Sequence, residues 1–226
     1  MIKVELHAHT RDDPHDDIPH SAEQLIDRAA GLGYKALAIT LHNRQLDITP
    51  LTGYARDRGV TLIAGVERSI AGKHVLLINF PPAAAYVRTF DQVAELKRHA
   101  NGLVIAPHPF FPASSCLGSL LDRHAPVIDA VEINACYTRA IDFNRAAARW
   151  ATRHGKPLVG NTDVHRLWQM GTCYSLVDSE ATPDAVCDAI RAGRVRAEMR
   201  PMSSLHAARL IGSLARADVR RWWRGQ

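Results

Sequence analysis

Residues 2–9 read Ile2-Lys3-Val4-Glu5-Leu6-His7-Ala8-His9. The short run from Ile2 to Leu6 has the apolar content and length of a strand, and two histidines follow it directly. Side chains two positions apart share one face of an extended chain, so His7 and His9 can reach a common point. A strand that ends on such a clamp sets the question for the rest of the chain: do other strands deliver metal-binding side chains to the same edge?

They are expected to. Strands predicted over Ala36 to Thr40, Thr61 to Val66, Leu103 to Ala106 and Pro157 to Gly160 are followed by His42, by Glu67, by His108, and by Asp163 with His165. Asp163-Val164-His165 repeats the two-residue spacing. His74 opens a strand over Val75 to Asn79, and the link from the preceding strand is too short for a helical crossover. The two strands should therefore pair antiparallel, which returns His74 to the edge where Glu67 lies.

Helices fill the intervals. Ser21 and Gln24 form a capping box for a helix ending at Gly31 or Gly33, and Thr49-Pro50 opens a second running to about Arg58. Further helices are read over Asp91 to Ala100, Ile141 to His154 and Pro183 to Ala192, closed by Gly155 and Gly193 where those follow. Ala130 to Ile133 is a strand, Val195 to Met199 is extended, and a last helix spans Leu205 to Trp223. The alternation predicts a mostly parallel sheet wrapped by helices, open or closed into a barrel, with function at the carboxyl ends of its strands.

With 226 residues, 46% hydrophobic and 23% charged, one ordinary globular domain is expected, residues 1–226, its last part (183–226) forming helices that cover the sheet. The net charge of +5 is compatible with anionic partners and partly concentrates in Arg216 to Arg224. No secretory leader or membrane-length apolar run is read. Cys116, Cys136, Cys173 and Cys187 lie far apart with no CxxC pair, so the expected setting is the reducing cytoplasm.

One histidine after a strand is usually structural, but seven coincident placements (His7, His9, His42, Glu67, His108, Asp163, His165) point to shared cations. Imidazole and carboxylate without thiolate suit zinc, manganese or iron. The donors exceed what one tetrahedral ion can use, so a shared carboxylate, Glu67, is expected to bridge two ions about 3.5–4 Å apart.

Leu6-His7-Ala8-His9-Thr10, Ala38-Ile39-Thr40-Leu41-His42, Gly65-Val66-Glu67, Pro107-His108-Pro109 and Thr162-Asp163-Val164-His165 together resemble, in order and spacing, the motifs of the polymerase and histidinol phosphatase (PHP) family over residues 1–167. The resemblance implies a distorted seven-stranded (β/α)7 TIM-like barrel and a trinuclear metal centre that hydrolyses phosphate esters. In that pattern His7, His9, Glu67 and Asp163 hold one ion, Glu67, His74 and His108 a second, and His42 and His165 a third. A further ligand comes from the loop after His9, which offers Asp12, Asp13, His15, Asp16, Asp17 and His20; His15 matches the family spacing to Gly31. One departure stands out, because Leu41 occupies the position of a usual aspartate. If that acid orients His42, its absence would leave a dinuclear enzyme.

The implied chemistry is attack on phosphorus by a hydroxide bound between cations and held by Glu67, Asp163 and His165. Small phosphate monoesters are the expected substrates, with nucleic acid ends as the alternative and no membrane partner. Amidohydrolase barrels also use His-x-His but bridge their ions with a carboxylated lysine, and no lysine follows a strand at the expected place. Arg68, Arg139 and Arg166 are candidates to grip a phosphate. Glu132 and Asn134 point to the same rim and are not counted as ligands. In the run Arg220, Arg221, Trp222, Trp223 and Arg224, Trp222 or Trp223 is expected to anchor the last helix to the barrel while the arginines face water. Between His108 and Glu132 there is room only for a loop and one short helix, so the pocket should be open.

Overall fold

The computed structural model describes residues 1–202; the helix expected over Leu205 to Trp223, with its arginine and tryptophan cluster, lies outside the described residues. Seven strands lie side by side in chain order: β1 (Ile2–Glu5), β2 (Tyr34–Ile39), β3 (Thr61–Ile70), β4 (Lys73–Ile78), β5 (Leu103–Ala106), β6 (Ala130–Asn134) and β7 (Leu158–Asn161). Ladders among these seven are parallel except on the two sides of β4, which runs antiparallel to β3 and β5. The β3–β4 hairpin turns on Ala71 and Gly72, at φ 50° and 75°, a two-residue turn whose twist matches the flanking strands.

The helices are α1 (Ala22–Gly31), α2 (Thr52–Arg56), α3 (Phe90–His99), α4 (Leu120–His124), α5 (Asn144–His154) and α6 (Pro183–Arg191). The capping box of Ser21 with Gln24 opens α1, and α5 ends on Gly155 in the left-handed conformation. Two expected helices are shorter. Thr49–Leu51 is a 3-10 turn leading into α2. The segment from Ile141 is held as a loop, because Thr138 Oγ1 accepts the Ile141 amide and Asp142 the Asn144 amide, so α5 begins three residues late.

Alternation along each strand sorts the core. On β2, Ala36 and Ala38 face one cluster while Leu37 and Ile39 join α1 and α2 in another. The first cluster takes in Ile63, Leu76, Ile105 and Val159 and fills the barrel. Val186, Cys187, Ala189 and Ile190 of α6 are buried in it. α6 lies against the strand starts, since Thr61 donates to the Ala181 carbonyl at 2.7 Å and Arg191 to that of Gly102 at 3.0 Å. The opposite end is free to carry the histidines.

Closure makes the barrel irregular. β8 (Cys173–Val177), not anticipated from sequence, and β9 (Val195–Met199) extend the sheet to nine strands, in the order β7-β6-β5-β4-β3-β2-β1-β8-β9. β8 pairs antiparallel with the start of β1, Ile2 opposite Val177. Higher up, the continuations of β1 and β7 meet directly: Ala8 bridges Val164, and the His9 amide donates to the Val164 carbonyl at 3.1 Å. Below, β7 presses on β8 at Gly160, where a Cβ would lie 2.7 Å from the Tyr174 carbonyl oxygen. The Ser175 hydroxyl bonds the Gly160 amide and carbonyl there, each at 3.0 Å. No helix among the described residues is long and apolar enough to cross a membrane.

Candidate metal centre

Each imidazole at the rim has one nitrogen anchored. His7 Nδ1 lies 2.9 Å from Glu132 Oε2, and His9 Nδ1 lies 2.8 Å from Asp13 Oδ2. An Nδ1–H donated to a carboxylate leaves the Nε2 lone pair facing inward, the arrangement that metal-binding histidines use.

Those Nε2 atoms converge on two carboxylates. His7 Nε2 is 3.3 Å from both Glu67 Oε2 and Asp163 Oδ1, and His9 Nε2 is 3.4 and 3.3 Å from the same atoms. Four ligand atoms placed tetrahedrally at about 2.0–2.1 Å from a cation stand about 3.3–3.4 Å apart. These four nitrogen-to-oxygen distances match that spacing. His7 Nε2, His9 Nε2, Glu67 Oε1 and Asp163 Oδ1 are buried without a hydrogen-bond partner. Unpaired buried polar atoms cost about 1–3 kcal/mol each, and a divalent cation would satisfy them.

Glu67 is the hub. β3 runs on to Ile70, so Glu67 sits inside the strand, not beyond its end as the sequence suggested. Its Oε1 lies 2.7 Å from His74 Nδ1 and 3.5 Å from His108 Nε2, and its Oε2 lies 3.1 Å from His42 Nε2. The antiparallel register, Ser69 opposite His74, brings β4 back to this edge. His108 Nδ1 rests 3.3 Å from Cys116 Sγ. His108 and Asp163 hold φ of 29° and 57°, in the left-handed region that side chains rarely adopt, a strain of about 1–3 kcal/mol each that is typical of functional positions.

The remaining histidines depart from the expected grouping. His42 shares a donor group with Glu67 and His74, while His165 joins His9 and Asp163. Asp16 Oδ2 lies 3.8 Å from His42 Nδ1 and 3.0 Å from His165 Nε2. His15 falls outside the converging donor groups among the described residues. Its Nε2 lies 3.2 Å from Asn43 Nδ2. Its ring centroid lies 5.6 Å from that of His42, while Asp16 of the same loop contacts His165.

Electrostatics hold the carboxylates ionised. Burial pushes Glu67 and Asp163 toward the neutral form, but surrounding imidazoles, His7 foremost, outweigh it and hold both well below the ordinary carboxylate range. Burial likewise works against charge on His7, and Asp163, Glu132 and Glu67 overcome it, raising its pKa. Acceptors with low proton affinity at neutral pH are ready cation ligands.

The three arginines do not converge on this cluster in their recorded contacts. Arg68 alternates with Glu67 along β3 and donates to the Val87 carbonyl and to Asn43 Oδ1, each at 2.6 Å. Arg166 donates to the Asp17 and His165 carbonyls, and Arg139 is exposed on the loop after β6. What the sequence concealed is the support beneath the donors. Buried Glu132 takes the Nδ2 groups of Asn134, on its own strand, and Asn161 at 3.0 Å each; the contacts to Asn161 and His7 join separate strands and leave no local signal.

The chain was compared with known proteins. The PHP_C family model, described as PHP-associated, matches residues 142–195. A DNA polymerase III PolC-type from Streptococcus pyogenes is 43% identical over 68 residues, 30% of this chain and 5% of that protein. The chain thus meets only about one-twentieth of the length of the curated relatives it matches. Among solved structures, a two-domain Bacteroides vulgatus protein containing a predicted PHP-like metal-dependent phosphoesterase aligns with TM-score 0.67 at 17% identity, over 88% of this chain and 65% of that one. An amidohydrolase from Chromobacterium violaceum aligns with TM-score 0.57 at 16% identity, over 72% and 87%. The lesion-specific endonuclease Q of Pyrococcus furiosus aligns with TM-score 0.59 at 16% identity, over 87% and 57%.

The nearly closed α/β barrel has the fold of PHP-like proteins and carries a rim of histidines and carboxylates that could hold metal ions. In its fold, and over residues 142–195 in the PHP-associated model, the chain is similar to PHP proteins.

Proposed function

We propose that the chain hydrolyses phosphate monoesters with two or three divalent cations (zinc, manganese or iron) held by His7, His9, His42, Glu67, His74, His108, Asp163 and His165, with Asp16 as the loop ligand. The supporting observation is that His7 Nε2 and His9 Nε2 each lie 3.3–3.4 Å from Glu67 Oε2 and Asp163 Oδ1, and that both nitrogens, Asp163 Oδ1 and Glu67 Oε1 are buried without a hydrogen-bond partner. Cations bound there would lower the pKa of water and neutralise charge on phosphate oxygens.

The chain's own residues do the rest. Glu132 and Asp13 fix the ring orientation of His7 and His9, so their Nε2 atoms need no reorganisation when substrate arrives. Ionised Glu67 and Asp163 are pure acceptors that orient the attacking water. Asp16 Oδ2, 3.0 Å from His165 Nε2, steadies that ring beside the cluster. Four unpaired cysteines support a reducing, cytoplasmic setting.

A second reading, action on nucleic acid ends, is favoured by the likeness to the PolC segment and to the endonuclease Q fold. An amidohydrolase is disfavoured because Glu67, not a lysine, stands between the donor groups. Metal-loaded protein assayed on p-nitrophenyl phosphate, its bis ester, nucleotides and labelled oligonucleotides separates the readings. Faster turnover of the monoesters is expected; preference for the bis ester and oligonucleotides would move the assignment to the second reading. Elemental analysis should give two or three ions per chain, and fewer than two would reject the centre.

A further inference from the structure

One oxygen of Asp13 stands between two imidazoles. Asp13 Oδ2 lies 2.8 Å from His9 Nδ1, 3.0 Å from His42 Nδ1 and 3.0 Å from the His42 backbone nitrogen. The other oxygen, Oδ1, accepts the backbone N–H groups of His15 and Asp16 at 2.8 and 2.9 Å. The side chain has no solvent exposure. The rings of His9 and His42 stack 4.6 Å apart at 19°, as parallel donation to one acceptor requires.

The two rings then serve different donor groups. His9 Nε2 faces Glu67 and Asp163, whereas His42 Nε2 groups with Glu67 and His74. Leu41 is buried in the apolar cluster of Leu25 and Ile39, so no acid at position 41 supports His42. Asp13 supplies that carboxylate from another segment of chain.

We propose that Asp13 is a positioning residue that couples two cation positions, the one served by His9 and the one served by His42; this rests on the reading of the rim as a metal centre. Each position needs its imidazole as the Nδ1–H tautomer with Nε2 free, and one carboxylate selects that tautomer in both rings. An ion at either position fixes Asp13 through its ring and so presents the other ring already oriented. The coupling is reciprocal by necessity. Asparagine cannot replace Asp13, because it offers one acceptor oxygen and turns its amide donors either on the two imidazoles or on the two backbone N–H groups.

The test combines Zn²⁺ titration of metal-free protein by calorimetry, bound-ion stoichiometry, and ¹⁵N spectra that report the tautomers of His9 and His42. In Asp13→Asn, affinity should fall about 10- to 100-fold at two positions, and both rings should lose the fixed Nδ1–H tautomer together. Weakening at one position only, or two unchanged tautomers, overturns the coupling. Wild-type protein gives an independent measurement should the variant not fold: the first equivalent of Zn²⁺ should shift the His9 and His42 signals together, and separate shifts in separate steps overturn the proposal. A wild type that takes up no zinc would reject the metal centre itself, a result distinct from either.

Discussion

Glu132 Oε2 lies 2.9 Å from His7 Nδ1, and both side chains are closed off from solvent. A buried carboxylate behind an imidazole fixes the tautomer and strengthens the ring as a donor. Glu132→Gln keeps the volume and loses the charge. Metal affinity should drop about 10- to 100-fold, read by competition with a chromophoric chelator, with near-native circular dichroism. Unchanged affinity would remove Glu132 from its supporting role.

Asp163 touches both His7 and His9 through one oxygen. Asp163→Asn and His9→Ala should each abolish most hydrolysis, by about 10²-fold or more, while the fold persists. Full turnover in either variant, measured with the ions restored, would rule out this rim as the place of reaction.

Glu5 is buried beneath the cluster, and burial raises its pKa from 4.5 to about 8 despite hydrogen bonds from Thr162 and His7. Between those two values the folded chain holds a proton that the unfolded chain has lost. Raising pH across that window therefore removes stability, and the loss is complete above about 8. Urea melts of metal-free protein at several pH values should show this decline, and Glu5→Gln should flatten it. Parallel curves for the two proteins would contradict the shift.

Chelation offers a further check. A ligand that binds only the folded state at 100 times its Kd adds about 2.7 kcal/mol, so EDTA should lower the melting temperature and zinc or manganese restore it. A melting temperature indifferent to both would count against cations at the rim.

Gly160 bears on closure and not on chemistry. Its substitution by alanine forces β7 away from the Tyr174 carbonyl, which lies 2.7 Å from the new Cβ, and should destabilise the fold by about 1–3 kcal/mol. A denaturant midpoint equal to that of wild type would mean that the seam is looser than described.

Local periodicity made much of this legible. His7-x-His9 and Asp163-x-His165 are visible because a strand repeats every two residues, and the short link before His74 dictates a hairpin. The alternation of elements gave a mostly parallel sheet wrapped by helices, and the seven-strand barrel came from the resemblance of the motifs to the PHP pattern. β8 escaped notice because Cys173–Val177 is five residues of mixed polarity whose role, wedging the seam between β1 and β7, depends on partners far away in sequence. The loop after His9 was harder still, since its acids lack any period. Asp13 and Asp16 are told apart from His15 only by what they reach across 29 and 149 residues.

The hairpin of β3 and β4 carries Glu67 on one arm and His74 on the other. A slip of one residue in that ladder would turn His74 to the opposite face and remove it from the cluster, even with every other strand in place. Correct pairing and a complete coordination sphere are therefore a single event. An ion captured during folding would select the native alignment over its shifted competitor, giving the metal a proofreading role in the protein's own assembly.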